Sequence, residues 1–176
     1  MARVYVSLGS NQNREDGIRQ AVLALRREFG EIELSPVYDS TAVGFDGSDF
    51  LNLVVSLESE LDVEVVVTAF RDIETRLGRD RSQPRFASRP IDLDLLLYDE
   101  LILKQPGIRI PRPEILEQAF VMKPLQDIAP QRCHPETGEP FAGLWRRMAP
   151  SAPRLDVFPL DLVTPEAPDN PPQSLS

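Results

Sequence analysis

From Ile91 to Tyr98 the chain alternates without a break, with Ile91, Leu93, Leu95 and Leu97 in one row and Asp92, Asp94, Leu96 and Tyr98 in the other. Successive side chains of an extended chain leave opposite faces, so the pattern predicts a strand with one face in a core and an acidic face outside it. Such a strand needs a sheet that is covered on at least one side. A second alternation sets Leu51, Leu53, Val55 and Leu57 against Phe50, Asn52, Val54 and Ser56. Val4, Val6 and Leu8 make a third, and Gly9-Ser10-Asn11 is expected to end it with turn chemistry.

Helical periodicities separate these strands. After Asn13, the expected N-cap, Ile18, Ala21, Val22, Leu25 and Phe29 share a face until Gly30. After Asp62, Val63, Val66, Phe70, Ile73 and Leu77 do the same until Gly78. Residues 32–38 read as one further strand, and 40–48 as a loop with little regular pattern. The order β-α-β-β-α-β predicts an α+β domain of ferredoxin-like type, in which both helices cover one face of an antiparallel sheet and the other face is free for a ligand. Segments 113–116, 120–128 and 141–148 add small C-terminal helices or strands around this core.

With 176 residues the chain has room for one domain, expected over 1–150. Residues 151–176 read as a Pro-rich acidic tail, partly disordered or docked through Val157, Phe158, Leu160 and Leu162, with its last ten or so residues mobile. A net charge of -9 argues against a nucleic-acid partner, since affinity for phosphate backbones comes from excess Lys and Arg. No apolar run approaches the ~18 residues that span a bilayer, so no membrane partner is expected. The single cysteine, Cys133, has no internal disulfide partner and suits a reducing compartment, with the cytoplasm as the expected location. Cys133 and His134 lack partners at zinc spacing and read as structural or incidental.

Asp92 and Asp94 leave one strand face two residues apart. They read either as solvated acids or as a hard-oxygen site for Mg2+, which takes one or two carboxylates and completes its shell with water and substrate phosphates. Just upstream, Arg76, Arg79, Arg81, Arg85 and Arg89 face only one acid, Asp80. This stretch reads either as a solvated basic loop or as a lid whose guanidinium groups grip phosphate. Phe50 and Asn52 lie on the non-core face of their strand, where an aromatic ring beside an amide suits a flat heteroaromatic ligand. Phe120 is a candidate for an opposing ring, and each phenylalanine taken singly also reads as core. There is no Gly-x-x-x-x-Gly-Lys-Ser/Thr loop and no Gly-x-Gly-x-x-Gly turn.

Gly78-Arg79-x-Arg81, followed by Arg89-Pro90-Ile91-Asp92-Leu93-Asp94-Leu95, resembles the signature of the hydroxymethyldihydropterin pyrophosphokinase family. Leu8-Gly9-Ser10-Asn11, Asp49-Phe50-Leu51-Asn52 and Phe120-Val121-Met122-Lys123-Pro124-Leu125 match further blocks in the same order. The resemblance implies a ferredoxin-like core that takes ATP as co-substrate with two Mg2+ ions and stacks a pterin between two rings. It implies transfer of pyrophosphate from ATP to 6-hydroxymethyl-7,8-dihydropterin with release of AMP, in folate biosynthesis, with no obligatory protein partner.

Residue by residue, Asp92 and Asp94 match the metal ligands, Phe50 and Phe120 the stacking pair, and Asn52 a pterin hydrogen-bonder. Thr41, Val43 and Gly44 match the pterin loop. Glu74, Arg79, Arg81, Arg89, Leu95 and Arg112 match nucleotide contacts, and the arginines at 79, 81 and 89 join the two aspartates as the catalytic set. Phe86 stands at a common tryptophan position, Ala42 at a proline, Arg112 at a histidine and Gln118 at an arginine. The last two motivate an alternative, a degenerate paralogue that binds pterin or ATP as a regulatory module. A metal-dependent transferase of nucleotide sugars is a second alternative, because Asp-x-Asp serves there also.

Overall fold

The computed structural model describes residues 1–40, 49–78 and 90–162. β1 (Ala2–Ser10) buries Val4, Val6 and Leu8 completely on one face. Gly9 and Ser10 do not end this strand as expected. They pair with Asn52 and Leu51 on the next strand, so tertiary hydrogen bonding overrides their local turn preference. α1 (Arg14–Phe29) follows Asn13, whose backbone is left-handed at φ 47 and whose side chain makes no cap bond.

β2 (Ile32–Leu34) and β3 (Tyr38–Ser40) divide the stretch expected as one strand. Both pair with β4 (Phe50–Ser59), Leu34 opposite Val55 and Tyr38 opposite Asn52, so the first side carries one extra residue. Pro36 has no N–H to give to a ladder. Ser35 bridges the bulge instead: its N–H donates to the Val54 carbonyl at 3.0 Å, and its Oγ accepts the Val54 N–H at 2.9 Å.

α2 (Val63–Arg76) buries Val66, Ala69, Phe70 and Ile73 as its periodicity predicts. β5 (Asp92–Tyr98) pairs with β1 through Val6 opposite Leu95 and Tyr5 opposite Leu97, which leaves Leu96 as the extra residue of a second bulge. The alternation predicted for this strand fails beyond that point. Leu97 lies with Leu96 on the face away from Leu93 and Leu95, and Tyr98 packs on the helix-covered core. A hairpin that was not anticipated follows, β6 (Leu103–Gln105) and β7 (Ile108–Ile110), turned by Pro106 and by Gly107 at φ 82. α3 (Glu114–Glu117), α4 (Ala119–Ile128) and α5 (Phe141–Met148) succeed it, and β8 (Leu155–Val157) closes the described chain.

The larger sheet runs β5-β1-β4-β3-β8, with β2 also on β4, and its described pairings are all antiparallel. α1 and α2 cover one face, packing Ile18, Val22, Leu25, Phe70 and Ile73 on the inward rows of β1, β4 and β5. The other face is not left free as expected. Tyr5, Val54, Leu96 and Leu97 lie under Val121, Met122, Leu125, Phe141 and Leu144 of α4 and α5. Burial of this second apolar set closes much of the face, and the part around Ser7 and Gly9 stays open. Beyond residue 150 the chain docks as far as Leu162: β8 pairs with β3, and Phe158, Leu160 and Leu162 pack on the helix-side core. Among the described residues no helix is long and apolar enough to cross a membrane.

Candidate active site

Two rows of residues cross the open part of the sheet. Asn52, Gly9 and Asp92 form one, in register across β4, β1 and β5, and Val54, Ser7 and Asp94 form the next. With strands spaced about 4.8 Å apart, Asn52 and Asp92 start roughly 10 Å from each other. Gly9 lies between them, and a Cβ there would come within 3.0 Å of Asn52 Oδ1 and 3.7 Å of the Phe50 ring. The floor is open because this position carries no side chain. Above it lies a cavity of about 220 Å³.

Phe50 projects into the cavity from β4 and Phe120 from the first turn of α4, so elements far apart in sequence supply the two rings. Asn52 is 4% exposed, and its Nδ2 donates to Ser40 Oγ at 2.8 Å. That bond turns the amide oxygen toward Gly9, where the spare Cβ volume is.

Asp92 and Asp94 line the opposite end, both half-buried. Burial raises the Asp94 carboxyl above its ordinary value, and the Arg112 guanidinium opposes that rise. Arg112 Nη2 lies 3.6 Å from Asp94 Oδ1, and its Nε lies 3.1 Å from Glu114. Among the described residues no three metal-ligating side chains converge. Two carboxylates on one strand face nevertheless fit Mg2+, which takes its remaining oxygens from water and phosphate. Residues 5–130 match the sequence profile of 7,8-dihydro-6-hydroxymethylpterin-pyrophosphokinase, HPPK.

The chain belongs to the HPPK family. It is 36% identical over 146 residues to the 2-amino-4-hydroxy-6-hydroxymethyldihydropteridine pyrophosphokinase of Porphyromonas gingivalis, covering 80% of this chain and 99% of that one. The Aquifex aeolicus protein of the same name is 34% identical over 144 residues, covering 80% and 89%. The crystal structure of an HPPK-DHPS in complex with substrates superposes with a TM-score of 0.70 at 11% identity, over 86% of this chain and 46% of that one. At that identity the likeness concerns the fold, and this chain spans less than half of the HPPK-DHPS chain.

Of the site residues expected of an HPPK, Phe50, Asn52, Asp92, Asp94, Arg112 and Phe120 come together in one cavity. Thr41, Val43, Gly44, Arg79, Arg81, Phe86 and Arg89 lie outside the described residues. Glu74 does not line the cavity. It is fully buried beneath β5, where Oε1 accepts from Arg71 Nη1 at 3.0 Å and Oε2 from the Leu93 N–H at 3.1 Å. Leu95 faces the helix side and lines a second, narrow groove with Arg71, Arg109 and Arg112, between α2 and the β6–β7 hairpin. Arg112 thus borders both recesses. Gln118 joins α3 to α4, its carbonyl accepting from the Val121 and Met122 N–H groups at 3.1 and 3.0 Å.

Sequence reasoning missed Ser7, Gly9, Ser40 and Glu114 as lining residues. For Gly9 a signal existed, since Leu8-Gly9-Ser10-Asn11 is one of the matching blocks, but its composition also reads as a turn. Glu114 had none, because its place beside Arg112 depends on how α3 follows the hairpin.

Proposed function

We propose that this HPPK-family chain transfers the terminal pyrophosphate of ATP to the hydroxymethyl oxygen of 6-hydroxymethyl-7,8-dihydropterin, releasing AMP, in folate biosynthesis. One observation carries this reading: a single cavity has two phenylalanine rings and a buried amide at one end and two carboxylates at the other. A pterin is flat and edged with donors and acceptors. Phe50 and Phe120 suit its faces and Asn52 its edge.

Asp92 and Asp94 would hold Mg2+, two ions by family resemblance, and the metal would supply charge neutralisation to the triphosphate. The chain's own residues do the positioning. The pterin end binds and orients the alcohol roughly two strand spacings from the carboxylates, leaving room for phosphoryl groups between. Arg112 places a guanidinium beside Asp94, where negative charge accumulates as AMP leaves. The groove lined by Arg71, Leu95 and Arg109 is the proposed nucleotide position, with Glu74 supporting it from below. Arg79, Arg81 and Arg89 are proposed as further phosphate contacts. Transfer of this kind depends chiefly on positioning and electrostatics, so no side-chain base is invoked.

The strand order and the placement of α1 and α2 on one face support a ferredoxin-like core, extended by the hairpin, α3 to α5 and β8. We assign residues 1–150 to the catalytic unit and residues 151–162 to a docked extension. A cytoplasmic enzyme acting on a freely diffusing substrate is the matching biological reading. The test is AMP formation from Mg-ATP with and without 6-hydroxymethyl-7,8-dihydropterin, comparing the protein with Asp94→Ala. Pterin-dependent AMP that disappears in the variant is expected. Binding of both ligands without AMP would overturn the enzymatic reading in favour of a binding module.

A further inference from the structure

The proposed pterin slot has two walls that belong to separate elements. Phe50 and Asn52 stand on β4, whereas Phe120 stands on α4. The contact between α4 and the sheet is largely apolar, with Val121, Met122 and Leu125 over Tyr5, Val54, Leu96 and Leu97. Apolar contact is non-directional and leaves the tilt of a short helix weakly specified. Among the described residues one side-chain hydrogen bond crosses this interface. Tyr38 of β3, 4% exposed and in register with Asn52, donates its hydroxyl to Asp127 Oδ2 on α4.

Asp127 follows Phe120 by seven residues, two helical turns, so both side chains lie on the same side of α4. Its other oxygen accepts from Lys123 Nζ at 2.8 Å and from Gln126 Nε2 at 2.5 Å, and Lys123 Nζ stands 5.6 Å above the Trp145 ring of α5. Asp127 is therefore held from three directions, and among the described residues only the tyrosine ties it to the sheet. Burial raises the Tyr38 hydroxyl far above its ordinary value, so it remains a donor throughout the accessible pH range.

We infer that Tyr38 and Asp127 are positioning residues for the pterin slot: their hydrogen bond latches α4 to the strand pair that carries Asn52 and so sets the spacing between the Phe50 and Phe120 rings. This rests on the pterin reading above. A stacking slot depends steeply on ring separation, because dispersion falls away within less than an ångström of the optimum. Nucleotide contacts on the β5 side should not depend on the latch.

The test is calorimetric titration of the full chain with 6-hydroxymethylpterin in the presence of magnesium and a non-hydrolysable ATP analogue, alongside separate titration of the nucleotide. Wild type, Tyr38→Phe, Asp127→Asn and Leu144→Ala are compared. Leu144 packs in the same apolar cluster from α5, an element that carries neither Tyr38 nor Asp127, and its truncation supplies a destabilised control. Tyr38→Phe and Asp127→Asn are expected to bind the pterin about tenfold more weakly, about 1.4 kcal/mol, with nucleotide affinity unchanged. Leu144→Ala is expected to melt at lower temperature yet bind both ligands as the wild type does. Wild-type pterin affinity in both latch variants would overturn the inference, as would parallel loss of pterin and nucleotide binding. A wild-type chain that binds nucleotide but no pterin would instead overturn the pterin reading itself, and the latch with it.

Discussion

The buried carboxylate of Glu74 accepts the backbone N–H of Leu93 at 3.1 Å, midway between Asp92 and Asp94. Among the described residues β5 is an edge strand of its sheet, so an N–H on its outer side meets no neighbouring strand there. Glu74 supplies that acceptor and pairs with Arg71 through its other oxygen. Glu74→Ala would strand the Leu93 N–H in an apolar setting and is expected to cost about 3 kcal/mol. Thermal unfolding should register this as a drop of roughly 6–12 °C. AMP formation should fall as well, because the strand that aims both aspartates loses its anchor. A variant melting within a degree of the wild type would show that Leu93 is held by other means.

Gly9→Ala tests the floor of the cavity. The new Cβ would stand 3.0 Å from Asn52 Oδ1, a crowded contact in a row where both neighbouring strands are hydrogen-bonded. Asn52 must then shift by a few tenths of an ångström, which strains its bond to Ser40. Pterin affinity is expected to drop by about tenfold or more, with the fold retained and nucleotide binding unaffected, as read by titration of each ligand.

Arg112 lies between Asp94 and Glu114, at 3.6 and 3.1 Å. Arg112→Ala removes the guanidinium that stands 3.6 Å from Asp94, and steady-state AMP formation is expected to show kcat/KM for ATP reduced about 10- to 100-fold. Arg112→Lys should recover only part, since an ammonium lacks the planar fork that reaches two oxygens at once. Equal activity of all three proteins would remove Arg112 from the nucleotide machinery.

The docked extension protects a sheet edge. β8 pairs with β3, the Phe158 N–H donates to the Val37 carbonyl at 2.8 Å, and the Phe158 ring lies 5.3 Å from the Arg14 guanidinium. Arg14 in turn holds both Asp39 oxygens at 3.0 Å and the Asp49 carbonyl at 3.2 Å. Deleting residues 153–176 would bare the β3 edge and the apolar surface under Phe158, Leu160 and Leu162. A melting temperature lowered by about 5–10 °C and concentration-dependent light scattering are expected. An unchanged melt would mean that the extension contributes nothing to the domain.

His134 is buried, and its Nδ1 accepts the N–H groups of Glu136 and Thr137 at 3.1 and 3.4 Å. Burial lowers its pKa below the ordinary value of 6.5. The unfolded chain therefore takes up this proton at a higher pH than the folded chain does. Stability from the neutral imidazole is full above 6.5 and is lost as pH falls through the lowered folded value. Urea denaturation between pH 7.5 and 5 should show declining stability, and His134→Asn, which keeps a short acceptor, should flatten that decline. An identical slope in the variant would assign the loss to other groups.

Much of this was legible because periodicity reports burial directly. Leu51, Leu53, Val55 and Leu57 are all core, the two long helices bury the rows their spacing predicted, and the open-face residues Phe50, Asn52, Asp92 and Asp94 share a cavity. The sequence by itself determined these rows, since the side-chain period of a strand or helix is a property of the backbone alone. Only the tertiary structure decided where the rows shift. Leu96 bulges against Tyr5 and Val6, turning Leu97 and Tyr98 over, and Ser35 and Pro36 break a strand whose alternation gave no warning. It also decided that Gly9 is cavity floor rather than turn, that Asp127 meets Tyr38 across 89 residues, and that Glu74 lies beneath the aspartates rather than among them. Each of these depends on the register between strands or on how a helix seats on a sheet, and those quantities come from the joint packing of side chains distant in sequence, which no local pattern encodes.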